Sequence, residues 1–275
     1  MKRPLLISLT LLAGVGAIAS RAEAQEAGYA ASVFEPSERG SDWFANESND
    51  YRGKLRLALG AVGDYGYRTV IGDHNPDRSI RSSLLRNQVL VHAGFSLIMA
   101  DRLRLAVSVP VMLHAFGHPA TRNGVDYAPP VHQQGVGDIR TSLDLRIAGE
   151  YGDPISLAVG ASLFIPVGQR DQFTGDDVTR FAPHLDIAGD ADMFAYAFRG
   201  GFEYRKLRIK YIDTELGNTI TFGGAVGLRG RPVPVVVGGH LAHAVGIDLL
   251  QQVAVGIVPG ARLIAEGIHR HPRAP

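Results

Sequence analysis

The sequence contains no cysteine and only one tryptophan among its 275 residues. The lack of cysteine excludes a disulfide scaffold, a cysteine-based zinc site and a thiol nucleophile. An excess of charge of one sign is also lacking, because 28 lysines and arginines face 27 aspartates and glutamates, for a formal net charge of +1. A nearly neutral chain has no global electric field that would attract nucleic acid. A nucleic-acid partner is therefore not predicted.

Long hydrophobic runs are missing after the first 24 residues, where no stretch reaches the 18 consecutive apolar residues of a transmembrane helix. The first stretch begins with Lys2 and Arg3, continues with an apolar run over 5–19, and ends with Ala22 and Ala24 flanking one glutamate. These are the three regions of a secretory signal peptide. Because the apolar run is shorter than the roughly 20 residues that span a bilayer, residues 1–24 are predicted to be a cleaved signal peptide.

Regular alternation of apolar with polar or small residues is the dominant pattern of the remaining chain. It is clearest over residues 138–147, where the odd positions from Ile139 to Ile147 are apolar or threonine and the even positions from Asp138 to Arg146 are charged or serine. A helix would scatter these charges around its circumference, whereas a strand places them all on one face. The pattern therefore predicts a β-strand with one apolar and one ionic face.

The same period of two recurs along the chain and predicts an all-β protein. The clearer strands are 54–65, 88–99, 103–113, 138–147, 155–167, 194–204 and 219–228, and the weaker ones are 181–188, 233–242 and 249–258. Short links with Asp, Gly or Pro alternate with longer polar links near 66–87, 114–137, 168–180 and 205–218. This rhythm predicts an antiparallel transmembrane meander barrel of about 10 strands, within a range of 8–12.

A soluble secreted β-sandwich also alternates, so the pattern by itself leaves this alternative open. Two features favour the barrel. The non-apolar positions are small or charged, which suits a barrel interior, and aromatic residues cluster at strand ends, where interfacial girdles lie in membrane barrels. The predicted organisation is a periplasmic leader segment over 25–51, an outer-membrane barrel over 52–258 and a carboxy-terminal tail over 259–275. The leader either folds under the barrel as a lid or is disordered.

Charged residues at the non-apolar positions are predicted to face the lumen, where opposite charges should pair. These lumen-facing candidates are Arg56, Arg104, Asp138, Arg140, Asp144, Arg146, Arg199 and Glu203. Small barrels are usually filled, which favours a plugged interior over a conducting pore. The sequence has no G-x-S-x-G nucleophile motif, and its glycine pairs lack the strand-to-helix context of a phosphate-binding loop. An enzyme, a catalytic residue, a cofactor and a metal site are not predicted.

A resemblance to a known family points the same way. The segment FEPSERGSDWFANESNDYRG over 34–53, the run VHAGFSLIMADRLRLAVSVPVML over 91–113 and GVGDIRTSLDLRI over 135–147 resemble the amino-terminal barrel region of OmpA-family proteins of the myxobacterial type. The resemblance implies a Gram-negative outer membrane, contact with its lipid and with the barrel assembly machinery, and often a carboxy-terminal peptidoglycan-binding domain. About 30 residues follow Gly246, too few for that domain, so peptidoglycan binding is not predicted.

The expected role is therefore structural or weakly pore-forming. Two alternatives stay open from the sequence. One is a passive diffusion channel for small solutes, and the other is a secreted soluble β-sandwich with a binding or adhesion role.

Overall fold

The computed structural model describes residues 28–74, 80–122, 124–212, 214–228 and 236–243. These residues form β-strands and one short 3-10 helix. The strands are β1 (Leu55–His74), β2 (Ile80–Met99), β3 (Leu103–Phe116), β4 (Ala120–Arg122), β5 (Val125–Tyr127), β6 (Gly135–Val136), β7 (Ile139–Ala148), β8 (Ser156–Ile165), β9 (Arg180–Ala191), β10 (Phe194–Arg205), β11 (Ile209–Tyr211), β12 (Thr214–Leu216), β13 (Thr219–Leu228) and β14 (Val236–His243), and the 3-10 helix covers Arg170–Gln172.

One antiparallel sheet dominates the fold, with the strand order β1-β2-β3-β7-β8-β9-β10-β13-β14 and with β6 paired to β3. Each strand in this order pairs with the next one of the sheet along the chain, so the topology is a meander. The sheet curls into a half-barrel. The predicted all-β antiparallel fold is confirmed. The predicted signal peptide, the strand at 249–258 and the tail at 259–275 lie outside the described residues.

The links between neighbouring strands of the sheet divide the half-barrel into two different rims. Short turns follow β2, β7 and β9, and they define the short-turn rim. Longer links follow β3, β8 and β10, and they define the long-loop rim. In the turn between β2 and β3, Ala100 and Asp101 both have positive φ, and Arg102 donates its N–H to the carbonyl of Met99 at 3.1 Å. Two positive φ values match the twist of a tight hairpin.

The long polar link predicted over 66–87 is wrong. In the structure β1 and β2 are 20 residues each, and they stay paired from Leu55↔Met99 to Tyr67↔Asn87 and, with register shifts, to the end of the hairpin. Backbone pairing does not need an apolar face, and the Tyr65 hydroxyl adds a cross-strand hydrogen bond of 2.8 Å to the Asn87 side chain. The polar composition of this region therefore reflects a hairpin that continues beyond the rest of the sheet.

The two faces of the sheet differ as the alternation predicts. On β7, Leu143 is 53% exposed on the outer face, whereas Ser142 and Asp144 on the inner face are buried. A β-sandwich would instead bury its apolar face between two packed sheets. In the described part of the chain that apolar face is open to the surroundings. Among these residues, no helix is long and apolar enough to cross a membrane.

Candidate functional site: an ionic core around the N-terminal segment

The chain before β1 lies against the inner face of the sheet. We call residues 28–54 the N-terminal segment. Its residues Glu47, Asn49 and Tyr51 are buried to 1% exposure or less, and the Asn49 amide donates to the carbonyl of Ser156 on β8 at 3.2 Å. The segment is therefore ordered inside the curl of the sheet, which excludes the disordered alternative for its described residues.

Arg104 of β3 links the N-terminal segment to the sheet. Its Nη1 lies 2.5 Å from Glu47 Oε2 in the segment, and its Nη2 lies 2.9 Å from Asp144 Oδ2 on β7. Arg199 of β10 repeats this arrangement, with its Nη2 3.6 Å from Glu47 Oε1 and its Nε 2.6 Å from Asp186 Oδ1 on β9. Glu47 thus connects β3 with β10, two strands that are separated in the sheet by β7, β8 and β9.

A second contact between the segment and the sheet involves Glu38. Its Oε1 accepts a 2.7 Å hydrogen bond from the Ser142 hydroxyl and lies 3.1 Å from Arg140 Nη2. The Arg140 guanidinium also donates to the carbonyl of Pro36 at 2.6 Å. Arg39 points away from these strands and donates to the carbonyls of Gly60 on β1 and His92 on β2, at 3.2 and 2.7 Å.

These groups form what we call the central cluster. Its members are the carboxylates of Glu38, Glu47, Asp144 and Asp186, the guanidiniums of Arg39, Arg104, Arg140 and Arg199, and the imidazole of His184. Each of Arg104, Arg140 and Arg199 lies within 4 Å of at least one of these carboxylates, and Arg140 also lies 3.4 Å from Glu35 Oε2. Such pairing is required because a buried charge without a partner costs several kcal/mol.

A glycine on β8 makes room for part of this cluster. His184 Nε2 on β9 lies 2.8 Å from Asp144 Oδ1 on β7, across the intervening strand. A Cβ at Gly160 would lie 2.1 Å from that carboxylate oxygen and 2.6 Å from that nitrogen. The small inner residues thus provide space for ionic side chains from neighbouring strands.

A second ionic group lies nearer the long-loop rim. Arg180 of β9 places its guanidinium nitrogens 3.2 Å from both Asp176 and Glu203, and 3.5 Å from Asp138. Arg205 of β10 also pairs with Asp176 and Glu203. Beside this group is a small cavity of about 60 Å³, which has room for only a few water molecules.

The structure places the eight lumen-facing candidates in three groups on the inner side of the sheet. Arg104, Arg140, Asp144 and Arg199 belong to the central cluster. Asp138 and Glu203 belong to the ionic group near the long-loop rim. Arg56 and Arg146 lie apart from both groups, at the short-turn rim.

At that rim Arg146 donates to the carbonyls of Gly149 and Asp101, and Arg56 Nη1 lies 3.0 Å from Asp50 Oδ2. Burial raises the pKa of Asp50, but hydrogen bonds from Arg52 and Arg56 outweigh it and lower that pKa to about 2. The Asp50 carboxylate therefore stays ionised at any ordinary pH and holds the end of the N-terminal segment at this rim.

The sequence analysis missed most of the partners of these arginines. Alternation predicts no role for Glu38 and Glu47 in the leader segment, and only a weaker strand over 181–188, which contains His184 and Asp186. The available signal was the even-numbered series Arg180, His184 and Asp186, which continues the period of two of a strand with an ionic face.

Asp144, His184 and Asp186 have side-chain oxygens and nitrogens within 4.8 Å of one another, which is a spacing that metal ligands can have. The same two carboxylates, however, are bound by Arg104 and Arg199. Guanidiniums repel a cation, so the residues present do not fit a metal centre.

Comparisons of the chain with models of protein families and with curated proteins find no match. The geometry of the inner face provides close packing and charge compensation.

We expect Arg104→Met to destabilise the protein by about 3–5 kcal/mol, because it leaves the buried carboxylates of Glu47 and Asp144 without their partner. The matched control is Arg208→Met, which removes an exposed pair with Glu215 and should cost less than about 1 kcal/mol. Urea unfolding in detergent, followed by circular dichroism, measures both. Equal effects of the two substitutions would show that the central cluster contributes nothing beyond a surface ion pair.

Proposed function

We propose that the protein is an outer-membrane β-barrel whose bore is filled by its own N-terminal segment, and that its role is structural. The observation that carries this proposal is the inverted distribution of polarity. Buried arginines and carboxylates line the inner face, while leucine, valine, isoleucine and phenylalanine cover the outer face. In a water-soluble protein this much exposed apolar surface would be an aggregation site, whereas in a membrane it meets lipid.

The dimensions of the sheet support a membrane location. Strands β7, β8 and β13 have 10 residues each, and a tilted strand of about 9–11 residues crosses the hydrocarbon core of a bilayer. Strand β10 carries exposed aromatic residues at both ends, Phe194 and Tyr204, as strands of outer-membrane barrels do at the two interfaces. In the proposal the sheet belongs to a closed barrel, and residues 1–24 direct export as a cleaved signal peptide.

The filled interior supports a structural role over a diffusion channel. The central cluster and the N-terminal segment occupy the middle of the inner face, and the cavity beside Arg180 and His92 measures about 60 Å³. The charged groups of the central cluster pair with one another at 2.5–3.6 Å. Because their charges are compensated, they do not create the electric field that would attract ions into a pore. We propose contacts with outer-membrane lipid and, during biogenesis, with the barrel assembly machinery.

The protein is expected to fractionate with outer membranes, to resist extraction by urea, and to migrate faster in a detergent gel before boiling than after it. Closed barrels stay compact in detergent until heat breaks the strand pairing. Cell fractionation and the gel test this directly. A freely soluble periplasmic product with the same mobility before and after boiling would contradict the membrane location and favour the secreted alternative.

In planar bilayers the wild-type protein is expected to be closed, while Glu38→Gln combined with Glu47→Gln should produce channel openings. The two substitutions weaken the contacts that hold the segment to Arg104, Arg140 and Arg199, and the uncompensated arginines should make the openings anion-selective. Glu215→Gln, which affects only the exposed ion pairs with Arg208 and Lys210, is the matched control and should stay closed.

Steady conductance of the wild-type protein would overturn the structural role and favour the diffusion channel. In that case Arg140→Ala and Arg146→Ala should change its ion selectivity.

A further inference from the structure

We infer that the N-terminal segment runs through the whole length of the bore, so that its beginning at Gly28 lies on the same side of the membrane as the long loops. This inference rests on the proposed function only for the presence of the membrane. The direction of the segment follows from its contacts with β1 and with both rims.

Three contacts with β1 show that the segment runs antiparallel to this strand. The Ser32 hydroxyl donates to Asp64 Oδ2 at 2.8 Å, Arg39 Nε donates to the carbonyl of Gly60 at 3.2 Å, and Arg56 Nη1 donates to Asp50 Oδ2 at 3.0 Å. As the segment advances, its partners on β1 move steadily from residue 64 to residue 56. The stretch of β1 from residue 56 to residue 64 thus compares with the roughly 9–11 residues with which a tilted strand crosses a bilayer core.

The beginning of the segment is fixed at the long-loop rim. Ala30 donates its N–H to Asp176 Oδ1 at 2.8 Å, Ala31 donates its N–H to the carbonyl of Phe173 at 3.1 Å, and Gly28 accepts from Arg170 Nε at 2.7 Å. All three partners belong to the link between β8 and β9, one of the longer links.

Aromatic side chains also pack around the beginning of the segment. The ring of Tyr29 packs edge-on against Tyr211 of β11, with centroids 5.9 Å apart, and Tyr127 of β5 and Phe173 pack around the same Tyr211 ring at 5.4 and 5.8 Å. Edge-to-face pairs at these distances are favourable. Three separate links of the long-loop rim therefore meet around the start of the segment.

The end of the segment is fixed at the opposite rim. Gly53 donates its N–H to Asp101 Oδ1 at 2.6 Å, and Lys54 accepts from the N–H of Ala100 at 2.9 Å, both in the turn between β2 and β3. Tyr151, in the turn between β7 and β8, donates its hydroxyl to Asp42 at 2.5 Å. The segment thus joins the two rims, with the central cluster between them.

The path of the segment determines which side of the membrane its beginning faces. A leader held at the periplasmic side would keep its start beside the short turns, but the contacts of Gly28, Ala30 and Ala31 place it beside the long loops. In an outer-membrane barrel the long loops face outward. The beginning of the segment, at Gly28, is then at the cell surface, and either the barrel closes around the segment or the segment is drawn through it during assembly.

Thiol labelling of intact cells tests the inference, because the natural chain has no cysteine and gives no background. One variant carries a short tag with a single cysteine immediately before Gly28, and a second, Ala30→Cys, needs no insertion. Val131→Cys in the link between β5 and β6 reports the long-loop side, and Met193→Cys in the turn between β9 and β10 reports the short-turn side. Both control positions are 63% exposed.

The probe is a membrane-impermeant maleimide, applied before and after permeabilisation of the outer membrane, and gel mobility before boiling confirms that each variant folds.

The tag cysteine is expected to label to the same extent as Val131→Cys, at least tenfold more than Met193→Cys in intact cells. Labelling of the tag and of Ala30→Cys only after permeabilisation, together with Met193→Cys, would overturn the inference while leaving the proposed membrane location intact. If Val131→Cys and Met193→Cys label equally in intact cells, the two rims are not separated by a membrane and the proposed function itself fails. If the tagged variant does not fold, the comparison of Ala30→Cys with the two controls decides the result.

Discussion

Burial of arginine on the inner face of a β-sheet is the constraint on which the rest of the structure depends. A guanidinium cannot lose its charge in a protein, so Arg104, Arg140 and Arg199 each need a carboxylate when water is excluded. The neighbouring strands supply Asp144 and Asp186, and the N-terminal segment supplies Glu38 and Glu47. Without the segment, the inner face would carry more positive than negative charge.

The composition of the sheet follows from this constraint. Because the inner face is filled with charges and their partners, the apolar side chains of each strand are left on the outer face. An inner strand position that lies over these charges is small, as Gly160 shows by leaving space for the contact between Asp144 and His184. A glycine at such a position is thus a packing requirement of the ionic interior. Elsewhere larger side chains are buried on the inner side, namely Gln88, Leu90, Ile98 and Met112.

The sequence was sufficient to predict the architecture because the information is local. Alternation along residues 138–147 is enough to define β7 and its two faces, and Asp and Gly residues locate the short turns. The β1–β2 hairpin was underestimated because its far half pairs through the backbone and has little alternation to recognise. Strand β9 has a weaker pattern because Pro183 interrupts the apolar series of Phe181, Leu185 and Ile187.

The partners of the inner charges could not be predicted in this way. Glu47 and Arg104 are 57 positions apart, and nothing in their local sequence indicates that they meet. The N-terminal segment lacks alternation and a helical period, so periodicity analysis describes it only as a charged link. The position of the segment is defined only when the sheet has curled, because its carboxylates then pair with the arginines of the inner face. Long-range electrostatic compensation, unlike strand formation, depends on the completed fold.

The central claim is that the inner face is filled and dry while the outer face meets lipid, and cysteine reactivity along one level of the sheet tests it most directly. Ser108, Ser142 and Ser162 are buried on the inner face and tolerate cysteine as a near-isosteric replacement, and Val107, Leu143 and Leu163 are their outward-facing neighbours. In reconstituted membranes we predict that the three inner cysteines resist both water-soluble and lipid-soluble thiol reagents, while the three outer ones react with the lipid-soluble reagent alone. Rapid reaction of the inner cysteines with the water-soluble reagent would contradict the account, because it would show an open, water-filled bore.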